Sequence, residues 1–293
     1  MAKPSNMTDS FRLGLAQLNF CVGDIDGNCA KIITAITDAR DRSKVDLLAF
    51  PELAICGYPP EDLLFRPDLH RRVKHALELI KQATHGITIA VGHPEQIGDD
   101  IFNSCSVLCN RQLVTTYRKH QLPNYAVFDE KRYFTEGDEP VRFSLKGAQI
   151  GLTICEDIWE ESGPGKTLCQ KGGVDLLLNI SSSPYHKGKG KARRQMIIKR
   201  AKYYKCPIAY VNLVGGQDEL VFDGQSLIVE AKGIIIAQGN SFEEEIIFAK
   251  VALPPKNKKA KPVGIRSVRT PTSLSKASVT ELPQLPPCEY MEK

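Results

Sequence analysis

At 293 residues, with 42% hydrophobic and 25% charged side chains, the chain has the size and composition of one large globular core or two small ones. Its net charge of +5 is concentrated: residues 246–280 carry eight Lys/Arg and no acid, the last thirteen residues net −2, and residues 1–245 are left at −1. A body this close to neutral excludes a broad nucleic-acid-binding field, and no apolar run approaches the length of a membrane span.

Met1 to Phe11 holds no signal-peptide-like apolar stretch, and 1–10 reads as an N-terminal extension. Residues 11–19 alternate as a strand, and 28–40 follow a helical period with Ile32, Ile33, Ile36 and Ala39 on one face. A second, buried strand over 46–50 runs straight into Pro51 and Glu52. After the loop Cys56-Gly-Tyr-Pro-Pro60, residues 67–82 predict a helix with Leu69, Val73, Leu77 and Ile80 inward. A strand over 88–91 precedes paired strands at 103–108 and 112–117 around a Cys-Asn-Arg turn. The second half alternates in the same way, with strands near 141–145 and 149–154, a helix near 165–171, a strand over 174–180, a basic helix over 191–205 and a strand over 208–213. Residues 225–230, 233–237 and 246–251 predict a late antiparallel meander. Alternating strands and helices indicate an α/β domain, built on one sheet or two. After Pro254-Pro255 the chain turns rich in Lys, Pro, Ser and Thr without periodicity, so 256–293 is expected to be a mobile linker or tail. Nine scattered cysteines without a Cys-x-x-Cys pair fit a reducing compartment, and a cytoplasmic enzyme is the expectation.

Three predicted strands end in isolated reactive groups. The apolar run Ile150–Ile154 stops abruptly at Cys155, Glu156 and Asp157, outside the carboxyl end of a strand, where α/β proteins place reacting groups. Taken alone, Cys155 fits a small buried core residue equally well. Glu52 follows strand 46–50, and Lys119 follows strand 112–117, where a solvated loop cation is the competing reading. Together they supply a nucleophile, a base and a cation for one acyl-transfer site. Gly188-Lys-Gly-Lys191 lacks phosphate-loop spacing, the basic run 187–194 lacks a wider basic field, and His120 and His186 read as loop residues. Trp159 is expected to pack in the core beside the nucleophile.

Pro51-Glu52-Leu, Lys119 with Leu122-Pro-Asn-Tyr-Ala-Val-Phe-Asp-Glu-Lys-Arg-Tyr-Phe134, and Ile154-Cys-Glu-Asp-Ile-Trp159 resemble the nitrilase superfamily of carbon-nitrogen hydrolases. More narrowly, the set is similar to the glutaminase domain of glutamine-dependent NAD synthetases. Asn179-Ile-Ser-Ser-Ser-Pro-Tyr-His-Lys-Gly-Lys189 and Asp223-Gly-Gln-Ser226 fit it as well. The motifs keep their order across roughly 10–255, and they are specific as a set rather than singly.

The resemblance implies an α/β fold, an α-β-β-α four-layer sandwich over 11–255, with 256–293 leading toward a separate synthetase domain. It implies a catalytic triad of Glu52, Lys119 and Cys155, with Glu130 orienting the lysine and the Glu156 backbone N–H completing the oxyanion site. Glutamine binding falls to Tyr125, the Phe128 carbonyl, Ser183 and Lys189. Some members carry Arg at that last position, and lysine cannot make the same bidentate fork. The implied reaction turns L-glutamine and water into glutamate and ammonia through a Cys155 thioester, feeding NAD synthesis in a homo-oligomer. No cofactor or metal is implied for this chain; ATP and Mg would belong to the synthetase domain. That domain opens with a Ser-Gly-Gly-x-Asp-Ser loop, a run not found in these residues, so the chain by itself is expected to make no NAD. An amidase for another small amide and a catalytically silent assembly domain both stay open as alternatives.

Overall fold

Strands whose every side chain is apolar need cover on both faces, because successive side chains point to opposite sides. The computed structural model describes residues 10–252 and 264–271. In chain order the first half gives β1 (Ser10–Gln17), α1 (Ile25–Asp41), β2 (Leu47–Ala49), α2 (Pro67–Ala83), β3 (Thr88–Ile97), β4 (Asp100–Cys109), β5 (Gln112–Arg118), β6 (Val141–Leu145) and β7 (Ala148–Ile154). Then come α3 (Pro164–Lys166, continued by a π-helical turn, Thr167–Lys171), β8 (Leu176–Ser181), α4 (Lys189–Tyr204) and β9 (Ile208–Asn212). The remaining strands are β10 (Val214–Gln217), β11 (Leu220–Asp223), β12 (Leu227–Val229), β13 (Ile235–Gln238), β14 (Glu245–Ala252) and β15 (Arg266–Arg269).

One sheet has the order β14-β1-β2-β3-β4-β5 and the other β13-β12-β9-β8-β7-β6-β15. Leu13, Leu15, Leu47 and Ala49 of the first sheet face Phe143, Ile150, Leu152 and Leu178 of the second. One residue along, Leu48 and Phe50 point the other way, into Ile32, Ile36, Val73 and Ile80 of α1 and α2. On the far side, Leu177, Ile208 and Val229 pack beneath α4 residues Ile197 and Ala201, with Leu168 beside them. This is the α-β-β-α sandwich that the family resemblance implied.

Several boundaries differ from the sequence expectation. Helix α1 starts at Ile25 rather than 28, because the Asp24 carboxylate accepts from the Gly27 N–H at 3.0 Å and caps it early. The predicted late meander is split: β12 and β13 pair antiparallel, but β14 crosses to the other sheet and runs antiparallel to β1. There it buries Ile247 and Val251 between the sheets. The short hairpin β10–β11 had no clear alternation to announce it. Within the segment expected to be an unstructured tail, β15 pairs parallel with β6, and Ile265 joins the core under α3 and α4. Apart from 264–271, the tail lies outside the described residues, as do residues 1–9 of the N-terminal extension. Among the described residues no helix is long and apolar enough to cross a membrane.

In both sheets the central strands run parallel, β1-β2-β3 in one and β7-β8-β9 in the other. Their carboxyl ends meet: the Ser182 N–H, just past β8, donates to the Glu52 carboxylate, just past β2, at 2.8 Å. Gly92 on β3 makes room for this meeting. A Cβ there would lie 2.5 Å from the Leu53 nitrogen and the Pro51 carbonyl oxygen, the backbone on either side of Glu52. Gly92→Ala should therefore destabilise the fold by about 1–3 kcal/mol through overpacking against backbone that cannot swing aside. Urea denaturation checks this; an unchanged midpoint would show slack where the geometry shows none.

Candidate active site

Glu52 is buried in the turn after β2. Its Oε1 accepts from Asn103 Nδ2 at 2.8 Å and from Lys119 Nζ at 2.7 Å, while Oε2 accepts from the Ser182 N–H. Ser182 Oγ donates in turn to the Glu52 carbonyl at 2.9 Å. The carboxylate is thus held from both sheets.

Lys119 follows β5 and is 0% exposed. Its backbone is pinned at both groups: its N–H donates to the Asn103 carbonyl at 2.8 Å, and its carbonyl accepts from the Gly137 N–H. The ammonium donates to Glu52 and to both oxygens of Glu130, at 2.8 and 2.7 Å. Burial alone would lower its pKa, but the Glu130 and Glu52 charges outweigh burial and hold it well above the ordinary lysine value. Glu130 also accepts from Tyr58 Oη at 3.0 Å. Burial first, and then the Glu52 charge, push its carboxyl up against the pull of Lys119.

Cys155 opens a short 3-10 turn, Cys155–Ile158, at the end of β7. Its φ of 41° is a conformation that L residues adopt reluctantly, and it turns the side chain out of the strand direction. Only 4% of the residue is exposed. Burial, followed by the Glu52 charge, raises the thiol well above its ordinary value, while Lys119 opposes them. The sulfur is therefore a thiol at neutral pH, and it becomes a nucleophile only when a base takes its proton.

The other expected site residues surround this centre. Tyr125 is exposed, and its hydroxyl donates to the half-buried Glu156 carboxylate at 3.0 and 3.1 Å. Its ring meets Phe128 edge-on, with centroids 5.5 Å apart. Ser183 is buried past β8, its backbone held by the Asn212 side chain in both directions. Lys189 begins α4, and its ammonium stands 4.1 Å from the centroid of the Trp159 ring. Trp159 is partly buried against the core, as expected, but it also carries this cation on its face, a second role that the sequence did not announce. Of the two histidines, His120 stacks on Tyr117, and His186 is exposed in its loop.

Sequence reasoning missed the residues that brace the centre. Asn103 and Ser182 hold Glu52, Tyr58 holds Glu130, and Asn212 holds Ser183. Asp157 accepts from four donors at the base of the Cys155 turn. Asp223, noticed only as part of a motif, forms a fully buried ion pair with Arg193 on α4 at 2.7 Å. The signal that was available is a polar side chain inside an otherwise apolar strand or helix face. Among the described residues there is no group of His, Cys, Asp and Glu able to hold a metal ion.

A family model described as carbon-nitrogen hydrolase matches residues 12–255. The chain belongs to that family. Among relatives of this carbon-nitrogen hydrolase, the glutamine-dependent NAD(+) synthetase of Xylella fastidiosa is 44% identical over 241 residues, covering 82% of this chain and 44% of that one. The enzyme of the same name from Thermotoga maritima is 45% identical over 238 residues, covering 80% of this chain and 41% of that one. The chain thus spans less than half the length of these relatives. The glutamine-dependent NAD+ synthetase of Acinetobacter baumannii, solved with adenosine diphosphate, superposes with a TM-score of 0.80 at 38% identity, over 87% of this chain and 49% of that one. An amidase from Nesterenkonia sp. superposes with a TM-score of 0.76 over 86% of this chain and 94% of that one. At 21% identity that last match is a likeness of fold.

The charge cluster in this carbon-nitrogen hydrolase makes a stability prediction. Lys119→Met leaves two buried carboxylates facing each other and should cost about 3–5 kcal/mol. A carboxyl whose pKa is raised on folding binds more protons folded than unfolded, so its penalty grows as pH rises. Glu130, already pushed up by burial, takes a proton on acidification, and the loss should shrink between about pH 8 and pH 5.5. Denaturation at both pH values checks the sign; an equal loss at each would mean that the carboxylates do not drive it.

Proposed function

We propose that the chain is the glutamine-hydrolysing part of an NAD synthetase, releasing ammonia from L-glutamine for the conversion of deamido-NAD to NAD. The observation that carries this reading is the strained, buried Cys155 turn within the field of a Glu52–Lys119–Glu130 cluster. Relatives named for glutamine-dependent NAD synthesis support the choice of substrate.

In this reading Glu52 accepts the Cys155 proton as the sulfur attacks the carboxamide carbon, returns it to the departing ammonia, and then activates the water that opens the thioester. Lys119 and the Glu156 backbone N–H meet the developing oxyanion. An ammonium has three donors, and here they face one Glu52 oxygen and both Glu130 oxygens. The two-oxygen grip of Glu130 is the feature that can yield, since accepting through one oxygen frees an N–H for the substrate. A unit charge about 4 Å from the oxyanion at an effective dielectric near 20 is worth roughly 4 kcal/mol before desolvation. That is about three powers of ten in rate.

Tyr125, the Phe128 carbonyl, Ser183 and Lys189 bind the amino acid end of glutamine. The Lys189 ammonium, 4.1 Å from the Trp159 ring centroid, supports this assignment, because the ring restrains a cation that lacks an arginine's fork. Burial lowers the Lys189 pKa, so a substrate carboxylate is a welcome partner for it. ATP and Mg act in the synthetase part, joined in cis or supplied in trans, and the assembly is a homo-oligomer.

Cys155→Ala should abolish glutamine hydrolysis while lowering stability by no more than about 1–2 kcal/mol. A panel of small amides run beside glutamine reads the specificity; equal turnover of simple aliphatic amides would replace the glutaminase reading with a general amidase. Lys119→Arg keeps the charge but changes its shape, and should recover less than about 1% of wild-type turnover. Near-wild-type turnover by that variant would remove Lys119 from the oxyanion site.

A further inference from the structure

Asp157 sits two residues beyond the nucleophile and is 0% exposed. Its Oδ2 accepts from the Ile154 N–H at 2.8 Å and from Tyr117 Oη at 2.6 Å. Its Oδ1 accepts from the His120 N–H at 3.1 Å and the Gln121 N–H at 2.9 Å. One oxygen thus grips the residue immediately before Cys155, and the other grips the residue immediately after Lys119. The two segments end strands of different sheets, β7 and β5, so no ladder hydrogen bond fixes one against the other.

We propose that Asp157 is a positioning residue for the hydrolytic reaction, holding the Lys119 ammonium at the distance from the Cys155 turn where the oxyanion forms. Capping the short turn needs one acceptor, and the Ile154 N–H satisfies that need. The remaining three donors come from the segment 117–121, across the sheet-to-sheet gap. All four donors are neutral groups, so the charge is held without a cation. Only an ionised carboxylate accepts at four sites in so small a volume, which accounts for an acid where a serine or asparagine would cap with less desolvation. The arrangement makes the separation of nucleophile and cation a property of one buried side chain that joins the two segments. The proposal rests on the reading above, in which Lys119 meets the oxyanion.

Asp157→Asn tests it. The amide replaces one acceptor with a donor, so whichever way it flips it opposes either the Ile154/Tyr117 pair or the His120/Gln121 pair. Because a misplacement of about 1 Å costs roughly a hundredfold, kcat for glutamine should fall about 30–100-fold. KM should stay within about threefold, since the substrate-binding groups lie elsewhere. Alkylation of Cys155 by iodoacetamide builds no oxyanion, and it should proceed within about threefold of the wild-type rate. Loss of alkylation in parallel with kcat would assign Asp157 to the integrity of the turn alone and overturn the proposal, as would a kcat within about threefold of wild type. If Asp157→Asn does not accumulate folded, Tyr117→Phe, which removes one donor, carries the same test. A several-fold lower kcat with unchanged alkylation supports the proposal; both unchanged or both lowered overturns it. Wild-type chain that fails to hydrolyse glutamine would overturn the reaction on which the proposal rests, whereas active wild type with an indifferent Asp157→Asn overturns the positioning role alone.

Discussion

Two carboxylates and one ammonium, Glu52, Glu130 and Lys119, are held out of water where the strand ends of two sheets meet. Burying ions is expensive, and it succeeds only when every charge has close partners and the leftover lone pairs are satisfied. Here Asn103, the Ser182 N–H and the Tyr58 hydroxyl supply the missing donors. The three groups act on one another throughout the site. Burial, and then the Glu52 charge, raise both the Glu130 carboxyl and the Cys155 thiol, while the Glu130 and Glu52 charges hold Lys119 well above the ordinary lysine value against burial. A nucleophile stored as a thiol is less exposed to stray alkylation or oxidation and is released only with a base at hand.

The sandwich is what makes such a cluster sustainable. Glu52 follows a strand packed on both faces, the Lys119 backbone is pinned by Asn103 and Gly137, and Glu130 sits in a short 3-10 turn whose carboxylate is held by Lys119 and Tyr58. The two sheets touch at the site through Glu52 and Ser182, and a second time through Asp157. A glycine at position 92 permits the close approach of β3 to the Glu52 turn. Beside the charge cluster lie less deeply buried pieces: an exposed Tyr125, a half-buried Glu156 and Lys189, the first residue of α4.

Part of this was legible in the sequence because Glu52 and Cys155 stand directly after apolar runs. Taken alone, Cys155 also fits a core residue and Lys119, after the mixed strand β5, a solvated loop cation, so only the three together point to one site. The layers were legible from the same runs: Leu47, Leu48 and Ala49 are apolar on both faces and imply cover on both sides. The bracing was not. Asn103 reaches Glu52 across 51 positions and Ser182 reaches it across 130, separations that no local pattern encodes. The transfer of β14 to the other sheet depends on the open edge of β1, and β15 arises from a polar stretch whose one core residue, Ile265, is too isolated to show a period. Trp159 gave itself away as a packing residue, but its partner Lys189 lies far along the chain, at the start of a basic helix where one cation looks like the next.

The claim on which the account depends is that glutamine is opened by Cys155 through a covalent glutamyl thioester. The most direct measurement is mass spectrometry of acid-quenched reactions of the chain with glutamine, followed by peptide mapping. The account predicts a glutamyl increment on the peptide containing Cys155, lost on treatment with hydroxylamine and absent from Cys155→Ala. Steady glutamine hydrolysis with no adduct under any quench, or an adduct on a different residue, would contradict it.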